Sequence, residues 1–238
     1  EKTNHPSGAP WRNFYGRIKG KGLHASHERY LTEDLVDLAP KNITWEENPK
    51  RNPIELKSIF GDERPVWLEI GFGSGEHLFH QAMANPEVNI IGCELYINGV
   101  ATLLGKLESE SITNVSIYPG DVRDLMDVVH ELTFERIFLL YPDPWPKNRH
   151  HKRRFVSPEF LDPLIPLLKP SGLIYIATDI GDYVRQAMRN LNFYDDLMWI
   201  CEGPQDWRKP WKGWFRTRYE RKAIAAGRRS YYLKFQKR

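Results

Sequence analysis

From Pro65 onward, short apolar runs alternate with stretches of helical spacing. Pro65 to Ile70 (P-V-W-L-E-I) reads as a buried strand. Further strands are predicted near Asn89 to Glu94, Val115 to Pro119, Arg136 to Tyr141 and Leu173 to Thr178, and later ones at Leu197 to Glu202 and Arg229 to Gln236. Helices are predicted between them, at Glu76 to Asn85, Ile97 to Ser109, Arg123 to Val129, Pro158 to Leu168 and Gly181 to Asn190. Ser157 and Pro158 read as N-cap and first helical residue. Arg218 to Ala226 reads as a helix stopped by Gly227. Strand and helix in strict alternation predict an α/β fold, with a mostly parallel sheet covered on both faces. Upstream, residues 1–55 read as an N-terminal extension and 56–238 as the main domain. Glu1 to about Gly22 is rich in Gly, Pro, Lys and Arg and is expected to be mobile. His24 to Leu38 holds a short helix, and Pro40 to Pro53 reads as loop.

The chain has 238 residues, enough for one substantial core. No run of about 18 apolar residues exists, so no membrane-spanning helix is expected. The polar stretch Glu1 to Lys21 does not resemble a secretion signal, and a cytoplasmic location follows as the default. Cys93 and Cys201 are far apart and make no metal pattern. The net charge of +3 says little, but its distribution says more. Gln205 to Arg238 holds twelve Lys/Arg against two acids, Asp206 and Glu220, with Trp207, Trp211, Trp214, Phe215, Tyr219, Tyr231 and Tyr232 interleaved. Cations mixed with aromatics suit RNA, whose phosphates need charge and whose splayed bases need stacking surfaces. Most of these aromatics are nevertheless expected to pack on the sheet.

Two motifs carry chemistry. In E-I-G-F-G-S-G, the first strand runs into Gly71, Gly73 and Gly75 and then a helix, the geometry of a nucleoside-cofactor loop. Glu94 ends the second strand 19 residues after Gly75, where an acid can hold ribose hydroxyls. Glu69, Glu94, Asp121, Asp143 and Asp179 all fall at the ends of successive strands and should surround one crevice. Acids there suit a cationic ligand better than a pyrophosphate. The second motif, Y-P-D-P-W-P-K-N-R-H-H-K-R-R (141–154), frames Asp143 with prolines and a tryptophan and runs into a cationic stretch. It reads either as a proline-stiffened surface loop with solvated charges or as an active-site acid beside a grip for a polyanion.

Together these motifs resemble a known family. E-I-G-F-G-S-G is similar to the cofactor loop of Rossmann-like S-adenosylmethionine-dependent methyltransferases. P-D-P-W-P-K with R-H-H-K-R-R resembles the bacterial tRNA (guanine-N7-)-methyltransferases, as do Thr178-Asp179 and Thr217 to Glu220. The resemblance runs from about Phe14 to the C-terminus. It implies a seven-stranded sheet with the last strand antiparallel, S-adenosyl-L-methionine as cofactor and a guanine in the tRNA variable loop as target. It implies cofactor contacts at Glu69, the glycine turn, Glu94, Asp121 and the Val122 amide, with Glu69 near the methionine portion, Glu94 on the ribose and Asp121 on the adenine amino group. It makes Asp143 the catalytic candidate. Lys147, Asp179, Thr217, Arg218, Tyr219 and Glu220 become substrate positions. Arg149, His150, His151, Lys152, Arg153 and Arg154 become RNA contacts, the histidines extending them rather than binding metal. Tyr141 and Tyr219 stand where related sequences often carry Phe, a change expected to leave the chemistry alone.

Guanine N7 has an in-plane lone pair and needs no deprotonation, so Asp143 is expected to orient guanine and offset developing positive charge rather than act as a base. Three rival readings differ in testable ways. An amino-group methyltransferase would carry an acid-Pro-Pro-aromatic loop, and here the aromatic comes one place early. A nicotinamide oxidoreductase would carry G-x-G-x-x-G. A non-catalytic RNA-binding subunit would have no need to keep the glycine loop and every crevice acid. The sequence is compatible with a monomer and with a homodimer.

Overall fold

The computed structural model describes Arg12, Phe14, Gly16, residues 18–20 and residues 22–238. The expected mobility of Glu1 to Gly22 falls largely outside these residues. Seven strands form one sheet: β1 (Val66–Ile70), β2 (Asn89–Cys93), β3 (Val115–Tyr118), β4 (Phe134–Leu140), β5 (Leu168–Thr178), β6 (Leu197–Trp199) and β7 (Tyr231–Lys237). Their order is β3-β2-β1-β4-β5-β7-β6. Strands β1 to β5 run parallel, and β7 is antiparallel to both β5 and β6. Every residue of β1, β2 and β3 is buried, as expected of parallel strands covered on both faces.

Side chains alternate between two cores. Val66, Leu68 and Ile70 of β1 face one core, together with Ile174 and Ile176 of β5 and Leu233 and Phe235 of β7. Trp67, Tyr175, Ala177 and Tyr232 face the other. On the first face lie α6 (Val122–Met126), α7 (Pro158–Leu164) and α8 (Gly181–Leu191), contributing Leu125, Leu161, Tyr183 and Ala187. On the second lie α4 (Glu76–Ala84) and α5 (Ile97–Ser109), contributing Leu78, Val100, Leu103 and Leu107. The chain enters through α1 (Ala25–Arg29), a π-turn at Tyr30–Asp34 and α2 (Leu35–Leu38). Tyr30, Leu31, Leu35 and Leu38 pack on this second core. Short helices α3 (Lys57–Phe60) and α9 (Gln205–Arg208), then α10 (Arg218–Ala225), complete the α-helices among the described residues. No helix among the described residues is long and apolar enough to cross a membrane.

Several boundaries differ from the sequence reading. The helix expected over Pro158 to Leu168 stops at Leu164, and a 3-10 turn takes Ile165–Leu167. Pro163 and Pro166 remove amide donors that a longer helix would need. Ser157 precedes the helix in extended backbone but makes no cap bond, and its hydroxyl is buried without a partner. β5 starts early, at Leu168, and shifts register against β4 between Phe134 and Arg136. The Gly227 stop holds: its φ is +70°, and the Arg228 amide donates to Ala223 O at 2.9 Å. The cationic stretch, for which the sequence reading gave no helix, winds into a 3-10 helix at Asn148–Arg153.

Candidate active site

The sheet reverses direction of winding at β1, which has β2 on one side and β4 on the other. Open α/β sheets bind ligands outside the carboxyl ends of strands at such a point. A cavity of about 380 Å³ opens there. Its walls include Gly71, Gly73, Glu94, Asp121, Val122, Asp143, Arg153, Arg218 and Tyr219, nine of the residues singled out from sequence.

The glycine turn sits at its floor. Gly71, Gly73 and Gly75 all have left-handed backbone, at φ of +69°, +61° and +69°. At Gly71 an added Cβ would meet no atom within 4 Å and would stand in open space at the cavity wall. That is a cradle for a ligand able to lie close to backbone. The Gly73 amide donates to Glu94 Oε2 at 2.7 Å, and the Tyr96 amide donates to Glu94 Oε1 at 2.8 Å. Burial raises the Glu94 carboxyl above its usual range, while these amides pull it back down. Glu94 is thus aimed by two backbone donors that flank the cavity.

Asp121 caps α6 by accepting from the Arg123 amide at 2.9 Å. The Arg123 side chain clamps the same carboxylate, with Nη2 2.6 Å from Oδ2 and Nε 3.0 Å from each oxygen. The guanidinium lies 5.1 Å from the ring centroid of Phe160, which stacks on Phe155 at 4.5 Å. Arg123, Phe155 and Phe160 all line the cavity and were missed from sequence. For Arg123, its place two residues after an acid at a strand end was the available signal.

Asp143 stands at the mouth between two strained residues. Tyr141 and Trp145 have φ of +52° and +39°, a region that side chains other than glycine adopt at a cost. The loop is held from both ends. Tyr141 donates its hydroxyl to Ser230 Oγ at 2.8 Å and stacks on Tyr219 at 6.5 Å. Trp145 meets His150 edge-on and carries the Arg153 guanidinium 5.0 Å from its ring. The surrounding walls desolvate the Asp143 carboxyl and raise its pKa.

Four predicted site residues that do not line the cavity are buried and bonded within the protein. Glu69 is 3% exposed and accepts from or donates to His77 Nδ1 across 2.7 Å. Strand alternation explains this: Ile70 faces the α6 side, so Glu69 faces α4, where His77 sits in the first turn. Arg154 is 1% exposed. Its Nε donates to Pro144 O at 2.8 Å, Nη1 to Gln186 Oε1 at 2.9 Å and Nη2 to Asp182 Oδ2 at 2.8 Å. It braces the Asp143 loop from within and is not available as a phosphate contact. Glu220, on the inner face of α10, accepts from Trp214 Nε1 at 2.7 Å and from the Tyr232 hydroxyl at 2.6 Å. Thr217 caps α10 by accepting from the Glu220 amide at 3.2 Å.

The remaining candidates do not line the cavity either. Lys147, Arg149 and Lys152 are exposed, and His150 is half-buried, its pKa pushed down by desolvation and by Arg153, Arg149, Lys147 and Lys152. His151 has its Nε2 3.3 Å from Asp182 Oδ2. Asp179 pairs with Arg228 at 2.5 Å. Gly75, the third glycine, supports α5 and does not line the cavity; its added Cβ would fall 2.7 Å from Leu103 Cδ1. Phe14 and Gly16, from the N-terminal segment, also line the cavity. Arg12 anchors that segment to Asp124 Oδ1 at 2.7 Å and Asp127 Oδ2 at 2.5 Å. No group of three or more His, Cys, Asp or Glu among the described residues could hold a metal ion.

The sequence matches the family model described as "Putative methyltransferase" over residues 63–233. It is 56% identical to a tRNA (guanine-N(7)-)-methyltransferase of Ruegeria sp. (strain TM1040), with 98% of this chain and 91% of that one covered. It is 41% identical to the protein of the same name from Brucella anthropi, with 95% of each covered. Among solved structures, an rRNA methylase from Streptococcus thermophilus matches with a TM-score of 0.50 at 10% identity, covering 74% of this chain and 88% of that one. A 30S ribosomal A1408 methyltransferase from an uncultured bacterium matches with a TM-score of 0.50 at 18% identity, covering 77% and 93%. At such identities these structures speak to the fold alone.

Proposed function

This chain belongs to the tRNA (guanine-N(7)-)-methyltransferase family, and from that premise we propose that it transfers a methyl group from S-adenosylmethionine to N7 of a guanine in the tRNA variable loop. The observation that carries this reading is the shared cavity. Glu94, Asp121 and Asp143 line one hollow at the switch point of the sheet, and the cationic 147–153 loop leads directly out of it.

Three carboxylates around one hollow suit a cationic donor, and the open space over Gly71 fits a ligand against backbone. When bound, S-adenosylmethionine supplies an electrophilic methyl group on a sulfonium sulfur. Glu94, fixed by the Gly73 and Tyr96 amides, is the group for ribose hydroxyls. Asp121, clamped by Arg123, and the Val122 amide are the groups for the adenine edge. Because Arg123 already engages both Asp121 oxygens, the carboxylate has little freedom to turn away from the cavity.

Asp143 is the group for guanine. Its carboxylate accepts from N1–H and the exocyclic amine, which selects guanine and aims N7, and it offsets positive charge that grows on the purine. A target base must leave its stack to reach a loop at a cavity mouth, and Trp145 or Tyr219 offers a face for it. Lys147, Arg149, Lys152 and Arg153 position phosphates without reading sequence. Glu69, Thr217, Glu220 and Arg154 act one layer further back, holding the elements that carry these groups.

The test is incubation of in vitro-transcribed tRNA with labelled cofactor, followed by alkali and aniline treatment. Chain cleavage at a labelled variable-loop guanine is the expected result. Label at an exocyclic amine, or none at all, overturns the reading.

A further inference from the structure

Residues 207–222 present a cationic face of which only Arg218 and Tyr219 line the cavity. The segment holds Arg208, Lys209, Lys212, Arg216, Arg218, Arg221 and Lys222 against a single acid, Glu220. Glu220 is 3% exposed and is bonded to Trp214 and Tyr232, and of these cations it pairs with Arg216, across 3.8 Å. Apart from the half-buried Arg218, each of these cations is exposed.

The aromatics of this segment explain why its backbone is fixed. Trp207 stacks on Tyr231 with centroids 6.0 Å apart. Trp211 packs on Tyr175 at 4.7 Å, and Trp214 on His77 at 5.4 Å. Gln81 Nε2 donates to Gly213 O at 2.7 Å. Three tryptophans point inward as anchors, and the cations between them are left outside. Phe215 is the exception. It is 36% exposed and stacks face to face on His80 at 4.5 Å and 23°. At its C-terminal end the segment reaches the cavity wall, through Arg218 and Tyr219.

A fixed, one-signed surface repels itself unless a polyanion meets it. We propose that residues 207–222 form a second RNA-contact face, separate from the 147–153 loop, that grips the tRNA backbone and offers Phe215 as a stacking platform for an unpaired base. This rests on the tRNA reading above. Two cationic segments then converge on one cavity mouth, so a base inserted there has phosphates held by both. Charge alone would also suit an acidic protein. The exposed aromatic among the cations and the continuity with the base-binding cavity favour RNA.

The test is a quadruple variant, Arg208→Ser, Lys209→Ser, Lys212→Ser and Arg216→Ser, in the full chain. A charge-matched variant elsewhere, Lys41→Ser, Lys50→Ser, Lys57→Ser and Arg238→Ser, serves as control. Binding of in vitro-transcribed tRNA is measured by fluorescence anisotropy across a salt series. The slope of log affinity against log salt should flatten by about 3, at roughly 0.7–0.9 per lost phosphate contact. KM for tRNA should rise at least tenfold, with kcat at saturating tRNA and affinity for S-adenosylmethionine unchanged. Phe215→Ala should weaken binding with no change of slope, since stacking carries no counterion term. If the quadruple variant does not fold, Lys212→Ser with Arg216→Ser should flatten the slope by about 1.5. An unchanged slope, or an equal loss in the control, overturns the proposal and leaves the face to an acidic protein. Failure of the wild-type protein to methylate tRNA would instead overturn the functional reading.

Discussion

Arg154 Nε donates to the Pro144 carbonyl at 2.8 Å, so a buried cation holds the residue next to Asp143. The same guanidinium reaches Asp182 on α8 at 2.8 Å and lies over Tyr183 at 5.3 Å. The loop bearing the acid is thereby tied to the helix behind it, while Tyr141 and Trp145 hold left-handed backbone on either side.

Arg154→Met should therefore act on the loop and not on RNA affinity. Removing the fork leaves the Pro144 carbonyl and Gln186 amide short of partners inside the protein, a loss of about 1–3 kcal/mol. The expected outcome is a lower urea midpoint and a fall in kcat, with the salt slope of tRNA binding intact. Lys152→Ser should do the converse, flattening the slope and leaving the urea midpoint alone. A flattened slope in Arg154→Met would return Arg154 to the RNA surface.

These two residues also mark what the sequence can reveal. The parallel strands were legible because each is a short apolar run closed by an acid or glycine, and the ends of those runs placed Glu94, Asp121 and Asp143 around one hollow. A run of cations, by contrast, does not say which member turns inward. Arg154 does so because the chain leaves the 3-10 helix in extended backbone beside α8, a tertiary fact. Glu69 escaped for a related reason. Its position at a strand end was visible, but strand alternation sends it toward α4, and only the packing of α4 supplies His77 as partner. Arg123 sits two residues beyond Asp121 in the helix that Asp121 caps, but Phe160 reaches Arg123 from a separate helix, and no spacing rule joins those two.

The Glu69–His77 pair lies directly beneath the glycine turn, and both side chains are buried. His77→Phe keeps the aromatic contacts to Phe138 and Trp214 but strips Glu69 of its partner. An ionisable group left alone in the interior costs more than the bond it loses. A destabilisation of about 2 kcal/mol or more is expected. Thermal unfolding with and without S-adenosylmethionine checks it. Cofactor should recover part of the lost stability, because it binds only the folded turn. A melting curve identical to wild type would show that the pair contributes nothing.

Gly99 opens α5 against the glycine turn, and a Cβ there would stand 2.0 Å from the Gly73 carbonyl oxygen. Because the obstacle is backbone, it cannot swing aside as a side chain would. Gly99→Ala must displace the turn, and with it the Gly73 amide that aims Glu94. Cofactor affinity measured by titration calorimetry should fall at least tenfold. Ala at Gly105 serves as a contrast, since the nearest atom there belongs to the Tyr30 ring at 2.8 Å and a ring can shift. Equal cofactor affinity in Gly99→Ala and wild type would show that the turn tolerates displacement.

Asp143 ties activity to pH and to stability in opposite senses. Desolvation raises its pKa above the ordinary 3.8, so folding opposes its ionisation. That penalty is present in full above the raised value. It is relieved as pH falls through the raised value toward 3.8. Activity runs the other way, because only the carboxylate can accept from guanine N1–H, so kcat should fall as pH drops through the raised pKa. Asp143→Asn should keep S-adenosylmethionine affinity and lose about 10²–10³ in kcat, the usual cost of an aimed electrostatic partner. It should also be more stable than wild type at neutral pH, with the gap closing on acidification. Urea titrations of both proteins across that pH range, beside a kcat profile, measure the two effects together. Near-normal turnover in Asp143→Asn would remove this residue from the chemistry, and a stability gap that widens toward acid would reverse the sign assigned to its desolvation.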